Sequence, residues 1–393
     1  MTMLTHNRCV IFVFFTLLIA SSGCQMNTKE LEKSEFAIGQ LAFNDATLSA
    51  SGKVSCASCH SPSAGFSAPN ALAFQPGGKY LEAHGLRASQ PLGYLVYNTA
   101  FHWDEKGTPT GGFFWDGRAN SLAEQAMGPL LGEREMANPD KSSVVQKISQ
   151  SQWADLFKKT YGANILNDVD AAFLKLTQAV ETFQKNSPLL NAFSSKYDAY
   201  LRGEIQLEAA EARGLALFND EEKGNCASCH PSDKDKKGRH PLFTDFTYDN
   251  LGVPRNLEII ENNNPKYFDL GLCDKPDLKE RKDLCGAFKV PTLRNAGVRQ
   301  VYFHNGKFKS LKDALTFYVQ RDTHPEKWYP KDAKGKVLKF DDLPVALHSN
   351  VNVKEVPYQK KKGEQPTLND QEIDDVIAFI HTLTDGWKDQ TRR

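Results

Sequence analysis

The sequence predicts a mainly α protein of two like halves, each folded around one covalently attached cofactor. Three observations lead there. The pattern Cys-x-x-Cys-His occurs twice, as Cys56-Ala57-Ser58-Cys59-His60 and as Cys226-Ala227-Ser228-Cys229-His230. Each copy follows a segment of helical period and a short polar link, and each half closes on another helical segment. Between these segments the chain is rich in Gly, Pro and Asn, with few strand-like alternations.

In each motif two thiols three residues apart can form thioethers with the vinyl groups of one haem. The adjacent His then turns its imidazole onto the iron. A lone Cys-x-x-Cys reads equally well as a zinc half-site or a redox dithiol. Two copies with the same Ala-Ser filling, both followed by His and both preceded by an export signal, read as two haem c groups. The expected fold is therefore two cytochrome-c-like domains, mainly α and rich in irregular loops.

The N-terminus comes first in chain order. His6-Asn7-Arg8 is a short basic flank, and residues 9–20 form an apolar run that suits a signal-peptide core and is too short to span a bilayer. No later stretch approaches the ~20 apolar residues of a spanning helix. Ser21-Ser22-Gly23-Cys24 reads as a lipoprotein cleavage box, with residues 1–23 removed and Cys24 lipidated, although Ser21 stands where Leu is usual. Ordinary cleavage nearby, leaving Cys24 as a stray thiol, is the other reading; an odd thiol in an oxidising compartment is a liability. The expected location is the periplasm, with membrane contact only through a lipid on Cys24.

The first half covers residues 31–188, with an entrance helix at 35–43 before Cys56 and a closing helix at 171–183. The second covers 189–386, where residues 207–218 lead to Cys226 and set Ala209, Ala212, Leu215, Ala216 and Leu217 on one apolar face. Its closing helix, 369–383, starts with an Asn369/Glu372 capping-box pattern and carries a stripe of Ile373, Val376, Ile377 and Ile380. The irregular stretches 61–110 and 231–291 are long for a compact domain unless they wrap a cofactor that supplies the missing apolar core.

The remaining cysteines sort by compartment. Cys9 leaves with the signal, and four others belong to the haem motifs. Cys273 and Cys285, in a stretch of Asp, Lys and Pro, read as a disulfide closing a short loop, worth ~3 kcal/mol, or else as two free thiols. Lys plus Arg and Asp plus Glu both number 48, so the charge balance points to no nucleic-acid partner.

Two further stretches are distinctive. One is Phe114-Trp115-Asp116-Gly117-Arg118, followed by Ser121-Leu122-Ala123-Glu124-Gln125-Ala126 and Gly128-Pro129. The other is Phe288-Lys289-Val290-Pro291-Thr292-Leu293-Arg294-Asn295, followed by Tyr302-Phe303-His304-Asn305-Gly306. Together with the haem motifs they resemble the bacterial di-haem cytochrome c peroxidase and MauG superfamily, from Cys56 to the last helix.

The resemblance implies a peroxidatic first haem with His60 as proximal ligand and a second, electron-transfer haem held by His230. It places Gln125, Pro129 and Glu135 in the distal pocket of the first haem, with Glu135 as the acid–base group and Gln125 orienting peroxide. Without the resemblance, Glu135 in Gly-Glu-Arg-Glu-Met would read as a solvated carboxylate. Trp115 stands where the family sets an aromatic between the haems; packing against Phe113 and Phe114 is compatible with that role. His304 is placed in the inter-haem region.

Family peroxidases put a Met fourteen residues past the His of Tyr-Phe-His-x-Gly, and here that position is Tyr318; none of the five Met residues lies after Met136. The MauG branch has Tyr there as an iron ligand. A thioether favours ferrous iron, whereas a phenolate favours ferric and higher states, so the second haem is expected to store oxidising equivalents. A core tyrosine on an amphipathic helix is the plainer reading. The family also holds calcium between the haems, through carbonyls near Arg299 and Val301 and an Asn in Arg-Asn-x-Pro. Arg87-Ala88-Ser89-Gln90-Pro91 departs from that pattern. A distal His on a mobile loop is not expected; His84 and His102 lie in the corresponding region, with His84 the candidate of the two.

The leading expectation is a periplasmic peroxidase that reduces hydrogen peroxide with electrons from a small c-type cytochrome or cupredoxin. A MauG-like oxidation of residues in a partner protein is the alternative. MauG carries a Trp close before its second haem motif, and Glu222-Lys223-Gly224-Asn225 has no aromatic there. A non-catalytic di-haem electron carrier is the third reading and would need both irons six-coordinate.

Overall fold

The computed structural model describes residues 27–389, so the signal segment 1–23 and Cys24 lie outside the described residues. The chain is mainly α with little strand. The helices are α1 (Thr28–Asn44), α2 (Cys56–Cys59), α3 (Leu122–Leu131), α4 (Lys141–Gln150), α5 (Ala154–Tyr161), α6 (Val169–Asn186), α7 (Lys196–Leu201), α8 (Ala209–Asn219), α9 (Leu311–Gln320) and α10 (Asp370–His381). Three two-residue antiparallel ladders punctuate the loops: β1 (Pro76–Gly77) with β2 (Ala83–His84), β3 (His102–Trp103) with β4 (Pro109–Thr110), and β5 (Tyr248–Asp249) with β6 (Phe288–Lys289). Among the described residues no helix is long and apolar enough to cross a membrane.

Local chemistry explains where the helices start. Asp168 accepts from Ala171 N at 3.0 Å to cap α6. At α10 the Asn369 side chain accepts from Glu372 N at 3.0 Å while Glu372 accepts from Asn369 N at 2.8 Å, the reciprocal box read from the sequence. Ser121 and Ser310 cap α3 and α9 in the same way, accepting from Glu124 N and Asp313 N, each at 3.0 Å.

Two helix pairs make the framework, α1 on α6 and α8 on α10, and both cross over a glycine. A Cβ on Gly39 would lie 1.9 Å from the Ala179 carbonyl oxygen, and one on Gly214 would lie 1.9 Å from that of Asp375. Phe43 then meets Phe183 with ring centroids 5.2 Å apart, and Phe218 meets Phe379 at the same 5.2 Å. The face of α8 differs from the expected alanine–leucine stripe: its buried residues are Gly214 and Phe218. Close approach of two backbones, not apolar area, decides which side of α8 faces in. On α10, Ile373, Val376 and Ile380 are buried as the stripe predicts, together with Phe379.

Ile38, Ala42, Val144, Phe157, Phe173 and Leu176 belong to one core, and Phe218, Phe243, Ile373, Val376 and Phe379 to another. Between them run the long irregular segments, tied by polar contacts. Arg87 donates to both carboxylate oxygens of Asp269, at 2.6 and 2.7 Å, and to Asp116 at 2.6 Å. Tyr94 donates to Asp385 at 2.7 Å, and Asn295 donates to the same oxygen at 2.9 Å. Cys273 and Cys285 are joined in a disulfide with Cα atoms 4.8 Å apart.

Candidate functional site

Each Cys-x-x-Cys-His motif opens onto a cavity. The first is walled by α1, α3 and α6 and lined by Cys56, Cys59, His60, Gln125, Pro129 and Glu135, among apolar side chains such as Leu48 and Val180. The second is larger; Cys226, Cys229, His230, Tyr318, Trp115 and His304 are among its lining residues.

The two histidines are prepared alike. His60 Nδ1 lies 3.3 Å from the Phe66 carbonyl and His230 Nδ1 lies 2.7 Å from the Phe243 carbonyl. A carbonyl only accepts, so Nδ1 carries the proton and Nε2 keeps a lone pair, as a metal-bound imidazole requires. Burial pushes both imidazole pKa values down to about 4, which keeps them neutral at physiological pH. Phe66 and Phe243 hold left-handed backbone conformations, with φ of 57° and 53°, where non-glycine residues are rare. The sequence reading missed this pair, because no side-chain pattern announces a carbonyl.

Gln125 and Pro129 stand four residues apart, on one face of α3, and both line the first cavity. Glu135 follows in the turn after the helix. Its carboxyl packs against Gly132, where a Cβ would come within 2.6 Å of Oε2. By surface area Glu135 is exposed, because the cavity opens one side of it. Its carboxyl is nonetheless enclosed by protein atoms, and this desolvation raises its pKa, opposed by the charge of Arg118. Arg118 itself lies 3.6 Å above the Phe114 ring and pairs with Asp116 at 2.8 Å.

Tyr318, on α9, borders the second cavity between Phe303 (centroids 5.5 Å apart) and Tyr358 (6.1 Å). Burial first, then the nearby Cys229 and Cys226 thiols, push its phenol pKa upward, opposed by Arg321. Burial also pushes the free thiols up, to about 12 at Cys56, Cys226 and Cys229 and to about 11 at Cys59. Tyr358, whose ring lies 4.4 Å from the Arg321 guanidinium, is a second tyrosine here that sequence reasoning did not single out.

Trp115 and His304 meet through one residue. Trp115 Nε1 donates to the Ala88 carbonyl at 2.9 Å, and Ala88 N donates to the His304 carbonyl at 2.7 Å. His304 stacks on Phe288 with centroids 3.5 Å apart, and burial lowers its pKa to about 3. His84 stacks on Phe74 at 4.4 Å and is not among the residues that line the first cavity. His102 is exposed on the β3–β4 hairpin.

Both cavities suit a haem: apolar walls, two thiols, and a neutral imidazole with a free lone pair. In the second, Arg299 Nε is a buried donor without a partner, and burial lowers the guanidinium pKa to about 10. The anionic carboxylates of a haem would satisfy it. The expected calcium site lacks the family's side-chain amide, since Ala88 or Ser89 stands where Arg-Asn-x-Pro has its Asn. The Arg299 carbonyl already accepts from the Tyr302 hydroxyl at 2.9 Å. Ala88 offers only backbone, with its carbonyl and N–H both engaged.

A model of the di-haem cytochrome c peroxidase family matches residues 33–206. The chain is 32% identical to methylamine utilization protein MauG of Paracoccus denitrificans over 379 residues, covering 94% of this chain and 93% of that protein. It is 28% identical to a cytochrome c551 peroxidase of Nitrosomonas europaea, covering 77% of each. Its structure resembles the crystal structure of the diheme peroxidase BthA from Burkholderia thailandensis, with a TM-score of 0.83 and 37% identity over 90% of this chain and 86% of that one. The chain therefore belongs to the di-haem cytochrome c peroxidase family, and its cofactors are two haem c groups.

Proposed function

We propose that the protein reduces hydrogen peroxide to water in the periplasm with electrons from a small c-type cytochrome or cupredoxin. Residues 31–188 form the unit that meets peroxide and residues 189–386 the unit that exchanges electrons. The observation that most supports this reading is the pairing of a desolvated carboxyl at Glu135 with a non-ligating Pro129 on the first cavity.

Bound haem would supply the redox chemistry, holding the two oxidising equivalents of each peroxide. Cys56, Cys59 and His60 hold the first, and Cys226, Cys229 and His230 the second. Pro129 has no side-chain donor atom that could bind iron, so it would leave its side of the cavity free for peroxide. The Gln125 amide both donates and accepts, which orients the bound molecule. The Glu135 carboxylate takes the proton from the near oxygen and returns it to the far one, so that the O–O bond breaks toward water. Desolvation raises its pKa, which makes the carboxylate a stronger base toward the near oxygen. The Tyr318 phenol oxygen would be a further ligand for the second haem, and Trp115, on the wall of the second cavity, has an indole that can relay an electron. Residues 1–23 act as the export signal, and Cys24 is the lipid site.

Ferric enzyme mixed with peroxide should change its optical spectrum without prior reduction, and should then oxidise a reduced c-type cytochrome. A need for prior reduction would sink the open-pocket reading. The identity with MauG of Paracoccus denitrificans favours a second reading, oxidation of residues in a partner protein. Covalent change in a co-purified protein, with the cytochrome left reduced, would select it.

A further inference from the structure

We propose that Trp103 is the surface residue through which electrons reach the inter-haem region, taken from one-electron donors that touch the β3–β4 hairpin. This rests on the peroxidase reading above. Of the five tryptophans, Trp103 is the exposed one, at 38%. A single exposed apolar side chain is ordinary on a protein surface; what lies beneath this one is not.

The Trp103 ring meets Phe101 edge-on with centroids 5.9 Å apart, and Phe101 meets Tyr248 edge-on at 6.2 Å. Both inner rings press on the turn that carries Trp115. A Cβ on Gly117 would lie 2.0 Å from the Tyr248 hydroxyl and 3.5 Å from Phe101 Cδ2, so the glycine makes room for them. Tyr248 also pairs with Lys289 across the β5–β6 ladder, and Lys289 N donates to the Trp115 carbonyl at 2.9 Å. Packed rings thus run from solvent to the Trp115 turn.

Two other exposed aromatic residues lack such a path. Tyr97 (41% exposed) leads through Phe193 to Tyr94, whose hydroxyl donates to Asp385 at 2.7 Å, so that path ends on a carboxylate and not on the Trp115 turn. Tyr80 (74% exposed) has Lys79 over its ring and no recorded ring partner among the described residues. The remaining large exposed side chains are aliphatic and cannot be oxidised at accessible potentials.

The loop closed by Cys273–Cys285 lays two cations on this cluster. The Arg281 guanidinium lies 4.7 Å from the Trp103 ring and Lys275 Nζ lies 4.8 Å from that of Phe101. A cation over an indole face stabilises the neutral ring relative to its radical cation. A hole therefore resides at Trp103 only briefly and passes to a donor in contact. Asp283, paired with Arg281 at 2.6 Å, tempers that effect.

The electron count closes. One electron leaves the Trp103 indole for the oxidised interior, and one returns from a reduced donor. Two such transfers, with two protons from solvent, complete the conversion of one peroxide to two waters.

The test uses holoenzyme as wild type, Trp103→Phe and Trp103→Tyr, with reduced small c-type cytochrome as the donor. The optical change caused by one equivalent of peroxide should form at the same rate in all three. Oxidation of the cytochrome should then slow roughly tenfold in Trp103→Phe and be largely restored in Trp103→Tyr, because a phenol is oxidisable and a phenyl ring is not. With peroxide and no donor, peptide mass mapping of the wild type should find Trp103 oxidised ahead of the other tryptophans. Cytochrome oxidation at wild-type rate in Trp103→Phe, or an unmodified Trp103 beside other modified tryptophans, would overturn the proposal. If the wild type leaves the cytochrome reduced but still oxidises Trp103, the peroxidase reading fails and the Trp103 route stands.

Discussion

The two halves of the chain use one scaffold to present different side chains at equivalent places on two cavities. Phe114-Trp115-Asp116-Gly117 leads, after the Ser121 cap, into α3; Phe303-His304-Asn305-Gly306 leads, after the Ser310 cap, into α9. Both helices are 10 residues long, and the eighth residue of each faces a haem cavity. That residue is Pro129 in the first half and Tyr318 in the second. Proline has no donor atom to give, while tyrosine has a phenol oxygen. At the matching inward turns stand Trp115, an oxidisable indole, and His304, an imidazole held neutral by burial. The framework is shared, and the side chains at equivalent places differ in chemistry.

The sharpest way to break the comparison is at Glu135, whose equivalent position after α9 is His324. Glu135→Gln should slow the reaction with peroxide by about 10²–10⁴-fold in stopped-flow measurements, the usual span for a lost acid–base group, with second-haem ligation unchanged. The same experiment across pH gives a sign. Desolvation raises the Glu135 pKa, so the carboxylate form is lost, and the rate falls, as pH drops through a value above the ordinary 4.5. The variant should lack this acid limb; an equal limb in both would remove Glu135 from its role.

A smaller effect tests the shared framework. Gly39→Ala and Gly214→Ala each thrust a methyl group to 1.9 Å from a carbonyl oxygen, so the helices must part. Each should cost ~3 kcal/mol in denaturant unfolding, toward the upper end for an overpacked site. A similar loss at both positions would support equivalent crossings, and a loss at one alone would not.

Tyr318→Phe should leave folding close to wild type, because the ring still packs against Phe303, but should make the second haem easier to reduce in a redox titration. An unchanged potential and spectrum would show that Tyr318 is not a ligand. The smallest expected effect is that of calcium removal. Chelation should leave spectra and peroxide reactivity unchanged, since neither Ala88 nor Ser89 supplies the side-chain amide. Loss of activity restored by added calcium would contradict this.

Much of the fold was legible because it rests on local rules. The haem motifs, the capping box at Asn369 and the Ile373/Val376/Ile380 stripe each need only a few neighbouring residues. The buried side of α8 was not legible, because it depends on a backbone arriving opposite Gly214 from α10. The Phe66 and Phe243 carbonyls escaped for a related reason: their φ values are set by the loops that wrap each cavity. Arg299 entered the sequence reading only for its carbonyl, and nothing local announces that its Nε is buried without a partner. The correspondence of Pro129 with Tyr318 was available from internal comparison, but Trp against His at the inward turn disguises the repeat.

The central claim is that the two haems differ in their sixth ligand, and electron paramagnetic resonance of the resting ferric holoenzyme tests it most directly. An open first haem and a His230/Tyr318 second haem predict one high-spin and one low-spin signal of equal weight. Two low-spin signals would show the first haem closed, two high-spin signals would show Tyr318 unbound, and either would contradict the division between Pro129 and Tyr318.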